Sequence, residues 1–173
     1  MKLNLLPTPD PWYANGLSFT CTCCGNCCTG GPGFVWLDDH EVDLLAKHLG
    51  LSKKQTLEQY CRKIGQRISL KESRTKEGNY DCIFLKELPA KKEKGKINLP
   101  RRVCGIYEVR PLQCRTWPFW DGNLASQDNW NNSAKRCPGM NTGKHYPQEK
   151  IEALRDATVW PDKAPTSASP KRK

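Results

Sequence analysis

The 173-residue sequence contains no long apolar run. No stretch approaches the roughly 18 apolar residues that a membrane-spanning helix needs, so we expect no membrane partner. Residues 1–10 also lack a continuous apolar stretch, and Pro7 and Pro9 interrupt them, so we expect no secretory signal peptide. We therefore expect a cytoplasmic protein. In that reducing compartment, clustered cysteines more often bind metal than form disulfides.

Two sequence patterns that would indicate an enzyme are also missing. The chain has no Gly-x-Gly-x-x-Gly loop, which argues against a separate dinucleotide-type methyltransferase domain. No constellation of proton-transferring side chains stands out either. The sequence therefore identifies no catalytic residue and leaves open whether the protein is an enzyme.

The charge of the chain is positive and unevenly distributed. Lys and Arg number 28 against 18 Asp and Glu, and residues 61–120 carry most of the excess. The basic run at 91–96, with Arg101 and Arg102, could contact phosphates. No aromatic residue interrupts this run, and such charge runs are usually solvated, so we do not favour a nucleic-acid partner.

The apolar content of 37% is low for a chain of this length, so we expect only a modest hydrophobic core. We predict a lead-in at residues 1–19, a cysteine-cluster domain at residues 20–160 and a disordered basic tail at residues 161–173. The predicted fold is a small, loop-rich α+β single domain that bound metal stabilises.

Capping signals predict two consecutive helices. One begins after Asp38 and ends at Gly50, and the next begins after Ser52 and ends at Gly65. In each case a Glu or Gln three residues after the N-cap completes a capping box. The second helix would place Cys61 on its apolar face, where a free cysteine packs as a small hydrophobic residue.

The remaining local patterns are weaker. Residues 34–37 are predicted to form a strand, and residues 66–75 and 80–86 to pair across a turn. Residues 89–102 are predicted to be an exposed basic loop. Residues 147–158 predict a C-terminal helix that begins at a proline.

Cysteine is the most unusual component, because the chain has ten. Half of them lie in the run Cys21-Thr-Cys-Cys-Gly-Asn-Cys-Cys28. A spacing of two residues lets a tight turn aim two sulfurs at one point. Gly25 and Gly105 each follow a cysteine directly, and we expect a positive φ there to turn backbone N–H groups toward the sulfurs.

This run, with Cys82-Ile-Phe-Leu85, the block Cys104-Gly-Ile-Tyr-Glu-Val-Arg-Pro-Leu-Gln-Cys-Arg-Thr-Trp-Pro-Phe119 and Cys137-Pro-Gly139, closely resembles the CxxCxxCC family. These YkgJ-like cysteine-cluster proteins are described as zinc- or iron-chelating domains. The resemblance covers residues 20–143. It implies that eight cysteines ligate metal, namely Cys21, Cys24, Cys27, Cys28, Cys82, Cys104, Cys114 and Cys137. The chain departs from the family in adding Cys23 and Cys61 and in a longer basic insert.

The identity of the metal stays open between zinc and an iron–sulfur cluster, since cysteine ligands suit both. Cys21, Cys24 and Cys27 match the first three positions of the bacterial ferredoxin run, and on this ground we slightly favour iron–sulfur. Cys27 and Cys28 are adjacent, so we predict that their side chains diverge toward different metal atoms. The eight ligands would then serve two metal sites or one polynuclear cluster.

Two arginines flank one of these cysteines. Arg110 and Arg115 are expected to lie just outside the ligands and to offset the thiolate charge. Trp117 is expected to pack against the site, and of the histidines only His145 remains a candidate ligand.

The leading functional hypothesis is a metal-binding protein, with a redox or metal-handling role. The alternatives are a protein lysine N-methylase-like enzyme, since the cysteine pattern also resembles that class, and a zinc-ribbon-like nucleic-acid-binding module.

Overall fold

Short strands and short helices alternate along the chain in the computed structural model, which describes residues 10–89, 91–93, 96–98 and 101–158. The helices are Asp39–Leu49 (α1), Lys53–Tyr60 (α2), Leu112–Arg115 (α3), Asp121–Leu124 (α4), Gln127–Ala134 (α5) and Gln148–Ala157 (α6). The strands are Leu17–Phe19 (β1), Thr29–Gly30 (β2), Trp36–Leu37 (β3), Cys61–Ile64 (β4), Arg67–Leu70 (β5), Glu72–Arg74 (β6), Tyr80–Cys82 (β7), Leu85–Leu88 (β8), Lys91–Glu93 (β9), Lys96–Asn98 (β10), Arg101–Cys104 (β11) and Met140–Tyr146 (β12). The predicted α+β class is confirmed.

The starts of α1 and α2 follow the predicted capping boxes. The Asp38 side chain accepts a hydrogen bond from the Glu41 N–H, and the Glu41 carboxylate accepts one from the Asp38 N–H. Ser52 makes the same reciprocal pair with the residue three positions on. Gly50 ends α1 with a left-handed φ of 67°. The predicted C-terminal helix is also confirmed, as α6.

The predicted extent of the second helix is wrong. Helix α2 ends at Tyr60, and Cys61–Ile64 continues as strand β4, which pairs antiparallel with β5. Gly65 takes a φ of 58° at the turn that joins these two strands. The backbone pairing with β5 outweighs the helical spacing of the apolar side chains, because tertiary context overrides local propensity.

The strands form several small antiparallel sheets. Two have three strands, in the orders β3-β5-β4 and β2-β7-β6, and the others are the pairs β1-β12, β8-β11 and β9-β10. The predicted hairpin is confirmed for β6 and β7, but residues 67–70 pair with β3 and β4 instead. The predicted loop at 89–102 is wrong for residues 91–93, 96–98 and 101–102, which are strands. The rest of that insert, except residue 89, lies outside the described residues.

Buried side chains form two hydrophobic clusters. One collects residues from β1, α4, α5, β12 and α6, with Trp130 and Ile151 almost fully buried. The other collects residues from β3, α1, β4 and β5, with Leu45 and Ile106 at its centre. Cysteines line both clusters, so the space between the two cores is where the cysteine side chains meet.

The predicted lead-in joins the first cluster within the part that the structure describes. Tyr13 is buried, and the Trp12 indole donates to the Leu124 carbonyl oxygen at 2.8 Å. Strand β1 then pairs with β12. The predicted tail at 161–173 lies outside the described residues. None of the helices described is long and apolar enough to cross a bilayer.

Candidate metal centre

Nine of the ten cysteines line a single cavity of about 40 Å³ between the two clusters. They come from the 21–28 segment, the ends of β7 and β11, helix α3 and the turn after α5. The nine are Cys21, Cys23, Cys24, Cys27, Cys28, Cys82, Cys104, Cys114 and Cys137. All eight predicted ligands are therefore brought to one place. Cys61 is buried in the second cluster and does not line the cavity.

The cysteine segment is fixed at its start and in its middle. Before it, the Thr20 N–H donates to the Gly139 carbonyl oxygen at 3.0 Å, and the Lys144 N–H donates to the Thr20 hydroxyl at 2.9 Å. In its middle, Gly25 is buried with a φ of 72°, and a 3₁₀ turn carries the next three residues. Strand β12 therefore sets where the segment starts, and the glycine sets how it turns.

The expectation of a positive φ is confirmed at Gly25 but wrong at Gly105. Gly105 has a different reason to be glycine. A side-chain carbon there would lie 2.6 Å from the Lys86 side chain and 3.1 Å from the Phe84 carbonyl oxygen. The missing side chain lets β11 turn back tightly against the start of β8, which places Cys104 beside Cys82.

Backbone N–H groups two residues further along the chain face several of the sulfurs. The Cys23 N–H donates to the Cys21 sulfur at 3.4 Å. Hydrogen bonds from the Phe84 and Ile106 N–H groups likewise act on the thiols of Cys82 and Cys104. Such donors stabilise negative charge on sulfur, as a metal-bound thiolate requires.

Cys27, Cys28 and Cys104 form a linked trio. The Cys27 and Cys28 sulfurs lie 3.9 Å apart, so the prediction that these side chains diverge is wrong. The Cys28 thiol also takes part in a hydrogen bond with the Cys104 thiol. Hydrogen bonding from Cys28 lowers the pKa of Cys27 to about 7 and that of Cys104 to about 6, while the pKa of Cys28 itself is raised.

Burial governs two further thiols beside this trio. Desolvation raises the pKa of Cys82 to about 11, although the Phe84 N–H offsets part of that effect. Desolvation also raises the pKa of Cys114, and the neighbouring charges of Cys82, Cys27 and Cys104 add to the rise. These mutual effects show that the five thiols lie within electrostatic reach of one another.

Arg110 is the one cation that lines this cavity among the described residues. Its guanidinium carbon lies 3.6 Å from the centre of the Tyr107 ring, and its Nε donates to the Tyr107 carbonyl oxygen at 2.9 Å. The charge of Arg110 contributes to lowering the pKa values of Cys27 and Cys104. Arg115, by contrast, is exposed and does not line the cavity.

Tyr107 is a cavity residue that the sequence reasoning missed. Hydrogen bonding with Cys21, followed by burial, raises the pKa of its phenol to about 12, and Cys23 contributes in the same direction. Its position three residues after Cys104 was the available signal. Trp117 also lines the cavity and donates from its indole N–H to the Cys137 sulfur at 3.5 Å. His145 lies on β12 and is not among the lining residues.

The donor set fits a thiophilic metal. No Asp, Glu or His side chain is among the described lining residues, so the cavity offers sulfur rather than the oxygen that Mg²⁺ and Ca²⁺ prefer. The 3.9 Å between the Cys27 and Cys28 sulfurs is close to the roughly 3.8 Å expected for two thiolates on one tetrahedral ion. No three His, Cys, Asp or Glu side chains in the described ranges are already arranged around one ion position, so a complete shell requires side-chain rotation.

The sequence profile of the CxxCxxCC family, described as a "putative zinc- or iron-chelating domain", matches residues 20–138. The chain therefore belongs to the CxxCxxCC family. It is also 29% identical over 107 residues to an uncharacterized protein of Methanocaldococcus jannaschii, a match that covers 62% of this chain and 48% of that protein. The chain thus spans about half the length of this relative. No solved structure matches the chain.

Proposed function

We propose that this protein binds iron or zinc through the thiolates of the cysteine cavity. The observation that carries the proposal is the convergence of cysteines from five separate parts of the chain on one cavity. The proposed ligands are Cys21, Cys24, Cys27, Cys28, Cys82, Cys104, Cys114 and Cys137. Thiolates at this density in a cavity without carboxylates favour soft or borderline metals.

The bound form we favour is an iron–sulfur cluster. Eight thiolates exceed the four that one tetrahedral ion accepts, so they call for more than one metal atom. The spacing of Cys21, Cys24 and Cys27 matches the start of a ferredoxin-type run. The short distance between the Cys27 and Cys28 sulfurs supports ligation of a single ion or cluster by both residues.

Metal binding would also connect the two halves of the fold. Cys21 and Cys137 pack on the first hydrophobic cluster, and Cys82 and Cys104 pack on the second. Ligation by all four would join the two clusters through the metal, so part of the metal-binding free energy becomes folding free energy.

A redox or metal-handling role is the second part of the proposal. Cys27 is exposed although its neighbours in the trio are partly buried, so one edge of the centre is accessible to solvent. A purely structural metal site does not need a solvent-accessible thiolate, whereas a site that transfers electrons or metal does need one. Reversible bleaching by dithionite would support the redox role, and transfer to a chelator without unfolding would support metal handling.

Purification without oxygen, followed by metal analysis, sulfide analysis and an absorption spectrum, tests the identity of the centre. An iron–sulfur cluster gives a brown protein with a broad absorption band at about 400 nm and acid-labile sulfide. A colourless protein that contains only zinc would overturn the cluster and retain the metal site. A fully reduced protein without metal would overturn the proposed function.

A further inference from the structure

A second cleft opens beside the cysteine cavity and shares part of its wall. Its volume is about 370 Å³, and Cys27, Trp117 and Cys137 line both spaces. This volume lies within the range of small-molecule binding sites. The function proposed above makes no use of the cleft, so its lining has to be explained separately.

One guanidinium is held in place at this cleft. Arg136 donates from Nη2 to the Thr29 carbonyl oxygen at 3.1 Å. It lies over Gly30, where an added side-chain carbon would be 3.1 Å from Nη2. The Asn26 side-chain amide donates to the Arg136 carbonyl oxygen at 2.7 Å, which fixes the backbone of the same residue.

The positive charge of Arg136 is not used within the described part of the chain. The ion pairs found there involve other cations, and no carboxylate of a described residue lies within 4.0 Å of this guanidinium. Among the described residues, the guanidinium donates one hydrogen bond, to a carbonyl oxygen. An anionic group that entered the cleft would therefore meet an arginine with free donors, which suits carboxylate and phosphate oxygens.

The remaining walls combine aromatic and polar surface. Trp117 and Trp120 meet edge to face with ring centres 4.8 Å apart. Asn132 and Ser133, both on α5, contribute an amide and a hydroxyl to the lining. An aromatic wall, a few polar groups and one cation are the composition expected for a small organic anion.

We propose that this cleft binds a small organic anion, with a carboxylate or phosphate group and a planar or apolar body. Arg136 binds the anionic group, and the tryptophans contact the body. The bound anion lies against the Cys27 and Cys137 side of the metal centre. Only this last point rests on the proposed function, because anion binding by the cleft does not itself require metal.

Benzoate is a suitable probe, and benzamide is its uncharged counterpart of the same shape. The full-length protein, with its metal content measured first, is titrated with each while tryptophan fluorescence and the metal absorption band are recorded. We expect saturable binding of benzoate, competition by inorganic phosphate, and about tenfold weaker binding of benzamide, because the amide lacks the charge-assisted bond.

Variants separate the role of Arg136 from a general effect of charge. Arg136→Gln should weaken benzoate binding about tenfold without a change in metal content. The benzoate affinity of Arg136→Lys should lie between those of the parent protein and Arg136→Gln. Lys54→Gln removes the same charge from the exposed face of α2 and should bind benzoate like the parent protein.

Equal affinity for benzoate and benzamide, or unchanged binding in Arg136→Gln, would overturn the proposed anion site. So would the absence of saturable benzoate binding below about 10 mM in protein that contains its metal. Protein that binds benzoate but no metal would refute the proposed function and leave the cleft intact. The two failures are therefore distinguishable.

Discussion

The Cys27 and Cys28 sulfurs lie 3.9 Å apart and face the same cavity, although the two residues are neighbours in the chain. The short 3₁₀ turn at Asn26–Cys28 brings them together, after a left-handed Gly25. Cys28 also takes part in a hydrogen bond with Cys104, which lies at the end of the distant strand β11. The trio therefore joins the cysteine segment to the β8-β11 pair.

Removal of the Cys28 thiol should raise the pKa values of Cys27 and Cys104. In metal-free protein, Cys28→Ala removes the hydrogen bonds that hold the pKa of Cys27 at about 7 and that of Cys104 at about 6. Both values should rise toward 9.0, the ordinary value. Thiolate absorbance near about 240 nm, followed against pH, measures the change.

The sign of this effect on stability follows from linkage. Thiols with a depressed pKa stabilise the metal-free fold fully above pH 9.0, and that contribution is lost as the pH falls through about 7 and 6. Cys61→Ala is the control, because its thiol lies in the second hydrophobic cluster and not at the cavity. If the low pKa values of Cys27 and Cys104 were the same in Cys28→Ala as in the parent protein, the hydrogen bonding within the trio would be contradicted.

Arg110 should matter for metal affinity more than Arg115 does. Arg110 lines the cavity, and its charge favours the thiolate forms of Cys27 and Cys104. Arg110→Gln should therefore weaken metal binding about tenfold, as loss of an outer partner of a metal site typically does. Competition with a chromogenic chelator measures it. Arg115→Gln, on an exposed side chain of α3, should have little effect. Equal losses in both variants would contradict the assignment.

Gly25 should not tolerate a side chain. Its φ of 72° is left-handed, and an added carbon would lie 2.9 Å from Leu85 Cδ1 and 3.2 Å from the backbone carbon of Arg102. Gly25→Ala should cost about 1–3 kcal/mol of unfolding free energy and reduce metal retention. Gly31→Ala is the matched control in the same segment, because nothing lies within 4 Å of its added carbon. Thermal unfolding of both variants checks this, and equal midpoints would refute it.

The buried Gln113 side chain ties the α3 helix, and with it Cys114, to strand β3. Its Oε1 accepts from the Trp36 N–H at 2.9 Å, and its Nε2 donates to the Phe34 carbonyl oxygen at 2.8 Å. Gln113→Ala leaves both backbone groups unpaired and should lower the free energy of unfolding by about 2–4 kcal/mol. Denaturant unfolding measures the loss. Gln66→Ala, at an exposed position, should change it by less than about 0.5 kcal/mol. A smaller loss of unfolding free energy for Gln113→Ala than for Gln66→Ala would contradict a stabilising role of these two hydrogen bonds.

Local signals in the sequence predicted local structure well. The capping boxes at Asp38 and Ser52 placed two helix starts, because the side-chain and backbone groups that close each box lie three residues apart. The predicted extent of the second helix is wrong from Cys61 onward, because the helical spacing of the apolar residues does not show that Cys61–Ile64 pairs with β5. The five-residue turn of the β6-β7 hairpin was recognisable from its Gly-Asn pair.

For the candidate site, too, the sequence indicates local features and not the three-dimensional arrangement. The cysteine spacing and the family blocks identified the residues that line the cavity, but not how their thiols are arranged. Adjacency in sequence suggested that Cys27 and Cys28 diverge, whereas the 3₁₀ turn after Gly25 makes them converge. The sequence patterns do not indicate the roles of Tyr107 and Arg136, because the contact of Tyr107 with Cys21 and the place of Arg136 in the cleft beside Cys27 are tertiary.

Differential alkylation of the metal-loaded and metal-free protein, read residue by residue by mass spectrometry, shows directly which cysteines hold the metal. We expect that metal protects the eight proposed ligands and that chelation exposes them together. Cys61 should stay unreactive in both states until the protein unfolds, because it is buried in the second cluster. Alkylation of Cys82, Cys104 and Cys114 at the same rate with and without metal would contradict the claim that these thiols hold it.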